Sequence, residues 1–138
     1  MLHRTKKIGD SNAGKWIGIG GHIEEGESPE ECVLREVREE TGLRLTEFRY
    51  RALITFVSDV YETEYMHLYT ACAYDGRLID ECNEGELQWV PVDQIMNLPM
   101  WEGDKLFLPC IMDESNGFFS MKLVYEGDRL VKHTLYEY

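Results

Sequence analysis

Glu36, Glu39 and Glu40 stand at i, i+3 and i+4, a spacing that on a helix sets all three on one face within about one turn. Clustered carboxylates repel one another, and a solvated helix gains no stability from gathering them. A hard divalent cation removes that repulsion. Magnesium, or manganese in its place, takes oxygen ligands, keeps several waters, and is commonly shared between protein carboxylates and substrate phosphates. The competing reading is an acidic, solvated helix face with ordinary charges. Two neighbouring features sharpen the first. Gly20-Gly21 lets the backbone turn closely and present a carbonyl or N–H to the same place, and Glu27 and Arg35 can pair and fix the preceding loop against the helix.

The element that must carry these glutamates is the clearest helix in the sequence, Ser28 to Glu40. Ser28 is its N-cap, Pro29 its first helical residue, and Glu31 completes a capping box. Cys32, Val33, Val37 and the stem of Arg35 give the helical-period packing face, and Gly42 supplies the stop. Ahead of it, Arg4 to Lys15 reads as a loop and Trp16 to Gly21 as a short strand entering a glycine turn. After it the period changes to two. Phe48 to Val57 and Glu64 to Tyr74 read as strands around a turn at Asp59 to Thr63. Glu86 to Val92 reads as another strand, with Pro91 placing it at an edge or an end. A short helix at Asp93 to Leu98, a longer one at Gly103 to Met112, and a hairpin of Phe118 to Tyr125 and Arg129 to Tyr136 complete the chain. Strands and helices mix without regular alternation, which predicts an α/β fold with a mixed sheet flanked by helices. There is no internal repeat or linker, so residues 1–138 are expected to form a single domain.

The formal net charge of −12 disfavours a nucleic-acid polymer, whose binding relies on cationic neutralisation of phosphates. It leaves open a small phosphorylated ligand, because a bound divalent cation reverses the local field. No apolar run is long enough to span a bilayer and the first residues lack a secretory pattern, so the expectation is a soluble, cytoplasmic chain with no membrane partner. The cysteines Cys32, Cys72, Cys82 and Cys110 show no metal-ligand spacing and read as mostly buried apolar residues.

Gly21 to Leu43, GHIEEGESPEECVLREVREETGL, resembles the Nudix box, G-x5-E-x7-R-E-U-x-E-E-x-G-U with U aliphatic. Gly21, Glu27, Arg35, Glu36, Val37, Glu39, Glu40, Gly42 and Leu43 meet every fixed position. The resemblance implies an α/β/α sandwich around a mixed sheet and hydrolysis of a nucleoside diphosphate joined to another group. It implies that Glu36, Glu39 and Glu40 bind divalent metal with the carbonyl of Gly20, and that Gly21, Glu27, Arg35 and Gly42 are structural. It also implies a further glutamate from a later loop, as metal ligand or base. Glu84 matches that place best, ahead of Glu81 and Glu86. Bound metal would neutralise diphosphate oxygens while a carboxylate orients or deprotonates the attacking water. Glu39 and Glu84 are the contenders for the base, with Glu36 beside them in the catalytic group.

Similarity continues through Trp89 to Ile95, Met100 to Asp104, Phe107 to Pro109 and the closing hairpin, and resembles the MutT-like branch that acts on oxidised purine nucleoside triphosphates. That implies an 8-oxo-dGTP-like substrate cleaved to monophosphate and pyrophosphate, with Trp101 and Phe107 flanking the purine and Asp104 bonding its edge. Core packing for the two rings, and a helix N-terminal role for the acid, are the plainer alternatives. The chain departs from the branch at Ile17, where an asparagine contacts the base, and at Gly103, where an adjacent acid stands. Other members hydrolyse ADP-ribose, nucleotide sugars or dinucleoside polyphosphates, and a non-catalytic nucleotide-binding domain is a third class. Arg4, Lys6 and Lys7 are candidate phosphate contacts or, alternatively, flexible surface charges. His22 adjoins the glycine turn, and His3, His67 and His133 read as strand residues. The family usually has a strand before the segment matching Leu2-His3-Arg4. Either the true start lies upstream or a sheet edge is left open, and an open edge invites a homodimer by strand pairing.

Overall fold

A computed structural model describes residues 1–6, 9–79 and 81–138, with nothing described of the Glu81 side chain. Lys7 and the Glu81 carboxylate, both named above as candidates, therefore lie outside the described residues. In chain order the elements are β1 (Leu2–Arg4), β2 (Trp16–Ile17), α1 (Pro29–Thr41), β3 (Arg44–Ser58), β4 (Glu64–Asp75), β5 (Glu81–Cys82), β6 (Gly85–Leu87), a 3-10 helix (Val92–Asn97), α2 (Asp104–Met112), β7 (Phe119–Glu126) and β8 (Arg129–Glu137). The strands form two four-stranded sheets, ordered β2-β1-β6-β5 and β4-β3-β7-β8. The second is mixed: β3 and β7 run parallel, while β7 and β8 run antiparallel.

Two compact units divide the chain, Met1–Phe48 with Ala71–Met100, and Arg49–Thr70 with Trp101–Tyr138. The first unit holds the small sheet and α1. Leu2 pairs with Ile17 on one side and Leu87 on the other, so β1 is internal to its sheet. Its approach to β6 depends on Gly85, because a Cβ there would run into the carbonyl of His3. α1 has the caps its sequence predicts. The Ser28 hydroxyl accepts from the Glu31 N–H at 3.1 Å, the Glu31 carboxylate accepts from the Ser28 N–H at 3.3 Å, and Gly42 closes the helix with φ of 79°. A side chain at Gly42 would also meet the Arg77 carbonyl at 2.9 Å. Cys32, Val37 and Thr41 form the buried stripe.

The second unit is built on α2 and the β7/β8 hairpin. Alternate residues of β7, Phe119, Met121, Leu123 and Tyr125, are buried with Ala52, Ile54, Trp101, Phe107 and Ile111 in one core, the period-two pattern expected of a half-covered strand. Arg51, 2% exposed, donates to the carbonyls of Ile111 at 2.8 Å and Asp113 at 2.9 Å, satisfying the last turn of α2.

Several expectations change in detail. The strand at Trp16–Gly21 contracts to Trp16–Ile17, and that at Glu86–Val92 to Gly85–Leu87. Pro91, lacking an N–H for a ladder, precedes the 3-10 helix that takes Val92. The cysteines are thiols rather than disulfides, yet only Cys32 is buried; Cys72 is exposed and the other two are half-buried.

Candidate metal centre and active site

The loop before α1 is tied to the helix by Arg35. Its Nε and one terminal nitrogen meet the two oxygens of Glu27 at 2.7 and 2.9 Å, and that same terminal nitrogen donates to the His22 carbonyl at 3.2 Å. This is the pairing the sequence predicts. The hydrogen bonds from Arg35 hold the Glu27 carboxyl down at about 2. The other terminal nitrogen reaches forward to Glu36 at 2.7 Å and Glu39 at 3.3 Å. One arginine thus fixes the loop and offsets charge among the glutamates. Glycine at position 21 leaves the Glu36 carboxylate in its place, since a Cβ would stand 2.5 Å from its carboxyl carbon and displace it.

Glu36, Glu39 and Glu40 share a cavity of about 490 Å³ with Glu84, Lys6, Ile79, Cys82 and Asn83. Glu36 is largely covered at 14% side-chain exposure and Glu39 is open at 62%. Glu40 is the constrained member. Burial, then the charges of Glu84 and Glu36, push its carboxyl up to about 8, against a backbone bond from Gly20 that lowers it. Its Oε2 is buried with no hydrogen-bond partner among the described residues. Among the described residues no group of three or more His, Cys, Asp or Glu is gathered closely enough to hold a metal as it stands. Arg35 draws Glu36 and Glu39, while Arg4 draws Glu84 at 2.9 Å. The donor set nevertheless fits a hard divalent cation: four carboxylates on one cavity, one of them with a buried oxygen that no described residue satisfies.

The remaining candidates separate. Arg4 is no flexible surface charge. It is buried, 8% exposed, and bonded through Nε to Asp10 at 2.7 Å as well as to Glu84. Lys6 lines the cavity and donates to the Cys82 carbonyl at 3.2 Å. Ile17 is half-buried in β2, and Glu86 is exposed in β6 opposite His3. His3 stacks on Trp16 with centroids 4.6 Å apart, and the His67 ring bonds the Tyr50 hydroxyl at 2.8 Å. In the second unit, Trp101 and Phe107 are 8% and 4% exposed within the core. Trp101 meets Tyr125 and Phe56 edge to face. Asp104 opens α2, and burial alone pushes its carboxyl up to about 7. The Tyr125 hydroxyl accepts from the Gly103 N–H at 2.7 Å, and a Cβ at Gly103 would stand 2.6 Å from that hydroxyl. Gly103 thus has no room for the acid that stands there in the branch resembled.

Asp10 and Tyr125 escape sequence reasoning. Asp10 lies in a loop with no periodic signal, and its meaning rests on partners that only the folded chain supplies. Tyr125 reads simply as the last residue of a strand; its pairing with Gly103 links residues 22 apart.

Comparison with known proteins accords with this geometry. The NUDIX domain model matches residues 1–110. A relative described as "Oxidized purine nucleoside triphosphate hydrolase" from Danio rerio is 35% identical over 99% of this chain and 86% of its own length. The "Uncharacterized Nudix hydrolase YvcI" of Bacillus subtilis (strain 168) is 39% identical over 72% of this chain, a match that spans 65% of that relative. The crystal structure of the mMutator MutT protein from Bacillus halodurans superposes with a TM-score of 0.87 at 25% identity, covering 97% of this chain and 86% of that one. The chain belongs to the Nudix family. It is a Nudix hydrolase of mixed α/β fold, and such enzymes generally work with a divalent metal. No helix among the described residues is long and apolar enough to cross a membrane.

Proposed function

We propose that this protein hydrolyses a modified purine nucleoside triphosphate, of the 8-oxo-dGTP kind, to the monophosphate and pyrophosphate with magnesium. The observation that carries this reading is the cavity shared by Glu36, Glu39, Glu40 and Glu84, with a buried Glu40 oxygen that no described residue satisfies. The name of the Danio rerio relative supports the substrate class. Glu36, Glu39, Glu40 and Glu84, with the Gly20 carbonyl, are the proposed metal ligands, and magnesium supplies charge neutralisation at the diphosphate. Glu39, far more open than Glu36, or Glu84 takes the proton from the attacking water. Lys6, on the same cavity, meets a phosphate oxygen. Arg35 and Glu27 hold the loop so that the glutamates keep their places.

Base recognition is assigned to Asp104, with Trp101, Phe107 and Ile17. Burial pushes the Asp104 carboxyl up to about 7, so near neutral pH part of it carries a proton and can donate a hydrogen bond to a base as well as accept one. A second reading, hydrolysis of another nucleoside diphosphate derivative, is favoured by one observation: both rings are already packed in a core. The reading further includes one Nudix domain over residues 1–138, a cytoplasmic location, a small nucleotide as partner, and a homodimer through an open sheet edge, the last read by light scattering.

The test is product analysis with 8-oxo-dGTP and dGTP, each with magnesium and with chelator. Magnesium-dependent monophosphate and pyrophosphate, released faster from 8-oxo-dGTP, is the expected result. Equal rates on both nucleotides would remove the oxidised-purine assignment. Turnover of neither, with turnover of ADP-ribose or a nucleotide sugar, would establish the second reading.

A further inference from the structure

Glu84 is held by three consecutive residues of one segment. The N–H groups of Thr5 and Lys6 both donate to its backbone carbonyl at 3.2 Å, and Arg4 donates to its carboxylate Oε2 at 2.9 Å. Arg4 is in turn held by Asp10, whose Oδ2 takes the Nε bond at 2.7 Å. Asp10 is fixed in its own turn, its Oδ1 accepting from the Asn12 N–H at 3.1 Å and its carbonyl from the Ala13 N–H at 3.0 Å. The Arg4 and Asp10 side chains are only 10% and 6% exposed, whereas Glu84 is 33% exposed and lies on the cavity.

How the guanidinium is divided matters. An arginine free to pair with one carboxylate commonly takes both oxygens in a two-pronged bond. Here Asp10 occupies Nε, and Arg4 meets Glu84 through one oxygen only. The other oxygen of Glu84 takes no bond from Arg4 and remains for the cavity. We infer that Arg4 is a positioning residue for Glu84, and that Asp10, by holding the Arg4 Nε, fixes the direction from which Arg4 meets Glu84. This rests on the reading that Glu84 belongs to the metal centre. It gives Arg4 a role other than phosphate contact.

The test uses manganese binding, followed by the paramagnetic signal of the free ion, on the intact chain with Glu84→Gln, Arg4→Met, Arg4→Lys, Asp10→Asn and the Arg4→Met/Glu84→Gln pair. Circular dichroism and melting temperature check each fold. Loss of an outer partner of a metal ligand typically costs 10–100-fold in affinity, so Arg4→Met is expected to weaken manganese binding about 10-fold. Arg4→Lys should recover part of that loss, and Asp10→Asn should share it. The double variant should bind no more weakly than Glu84→Gln alone, because Arg4 acts through Glu84. Losses that multiply in the double variant, or tighter binding in Arg4→Met, would overturn the inference. Should Arg4→Met not fold, Asp10→Asn and Arg4→Lys decide: wild-type affinity in both would overturn it too. Unchanged affinity in Glu84→Gln itself would instead remove Glu84 from the metal centre, a separate failure.

Discussion

Glu40 on α1 and Asp104 at the head of α2 are both carboxyls raised well above their ordinary range, and their surroundings differ. Glu40 is raised by burial together with the charges of Glu84 and Glu36, and Gly20 offers one partial correction. Asp104 is raised by burial alone. A carboxyl that faces other carboxylates wants a cation; one that faces apolar side chains wants its proton. Both carboxyls are raised toward the neutral range, one inside a cluster of carboxylates that a cation would relieve, the other by a burial that a proton relieves.

The largest effect that sharpens this contrast falls on turnover. Glu39→Gln keeps size and helix but removes a charge from the cluster, and a positioned acid–base group contributes about 10²–10⁴-fold. Pyrophosphate release should fall by about a hundredfold or more with the melting curve unchanged. Asp104→Asn, outside the cluster, should alter KM and base preference far more than kcat. Wild-type turnover in Glu39→Gln would remove Glu39 from the catalytic group and leave Glu84 as the base. An Asp104→Asn variant as slow as Glu39→Gln would erase the distinction between the two carboxyls.

A smaller effect appears in stability. With the folded value near 7 against an ordinary 3.8, the native protein holds the Asp104 proton more tightly than the unfolded chain does. Stability from this group is full below about pH 4, declines as pH rises, and is flat above about pH 7. Asn at this position stays neutral throughout. Asp104→Asn should therefore match wild type near pH 4 and exceed it by about 4 kcal/mol at pH 8, read by urea unfolding at both values. An equal difference at both pH values would show that the burial of Asp104 does not govern its ionisation.

What the sequence disclosed and what it withheld follow the same division. α1 was legible to its ends because its signals are local: Ser28, Glu31, Arg35, Glu27 and Gly42 act within a few turns of one another. The glutamate face follows from spacing alone. The bond of Arg4 to Glu84 joins residues 80 apart, and no local pattern announces it. Trp101 and Phe107 likewise carry the composition of a stacking pair, yet whether a ring packs inward depends on β7 and β3 closing over it. Strand length was overread at Trp16–Gly21 and Glu86–Val92, where alternation continues past the residues that find a ladder partner. Local chemistry is thus written in the chain, while the partners that tune it come from tertiary contacts.

The smallest expected effect concerns the same end of α2. Gly103 gives its N–H to the Tyr125 hydroxyl at 2.7 Å, and a Cβ would lie 2.6 Å from both that hydroxyl and a Leu123 methyl. Tyr125→Phe removes the acceptor and should cost about 1–2 kcal/mol, the penalty of one unsatisfied buried N–H. Gly103→Ala crowds a packed core and should cost about 1–3 kcal/mol. Because the added methyl and the hydroxyl compete for one space, the two losses should not add. Gly103→Ala made in the Tyr125→Phe protein should cost less than it does in wild type, by thermal unfolding of all four proteins. Strict additivity would mean that Leu123 alone excludes a side chain at position 103. The Tyr125 hydroxyl would then serve only to satisfy the N–H, and the glycine that distinguishes this chain beside Asp104 would be a demand of apolar packing.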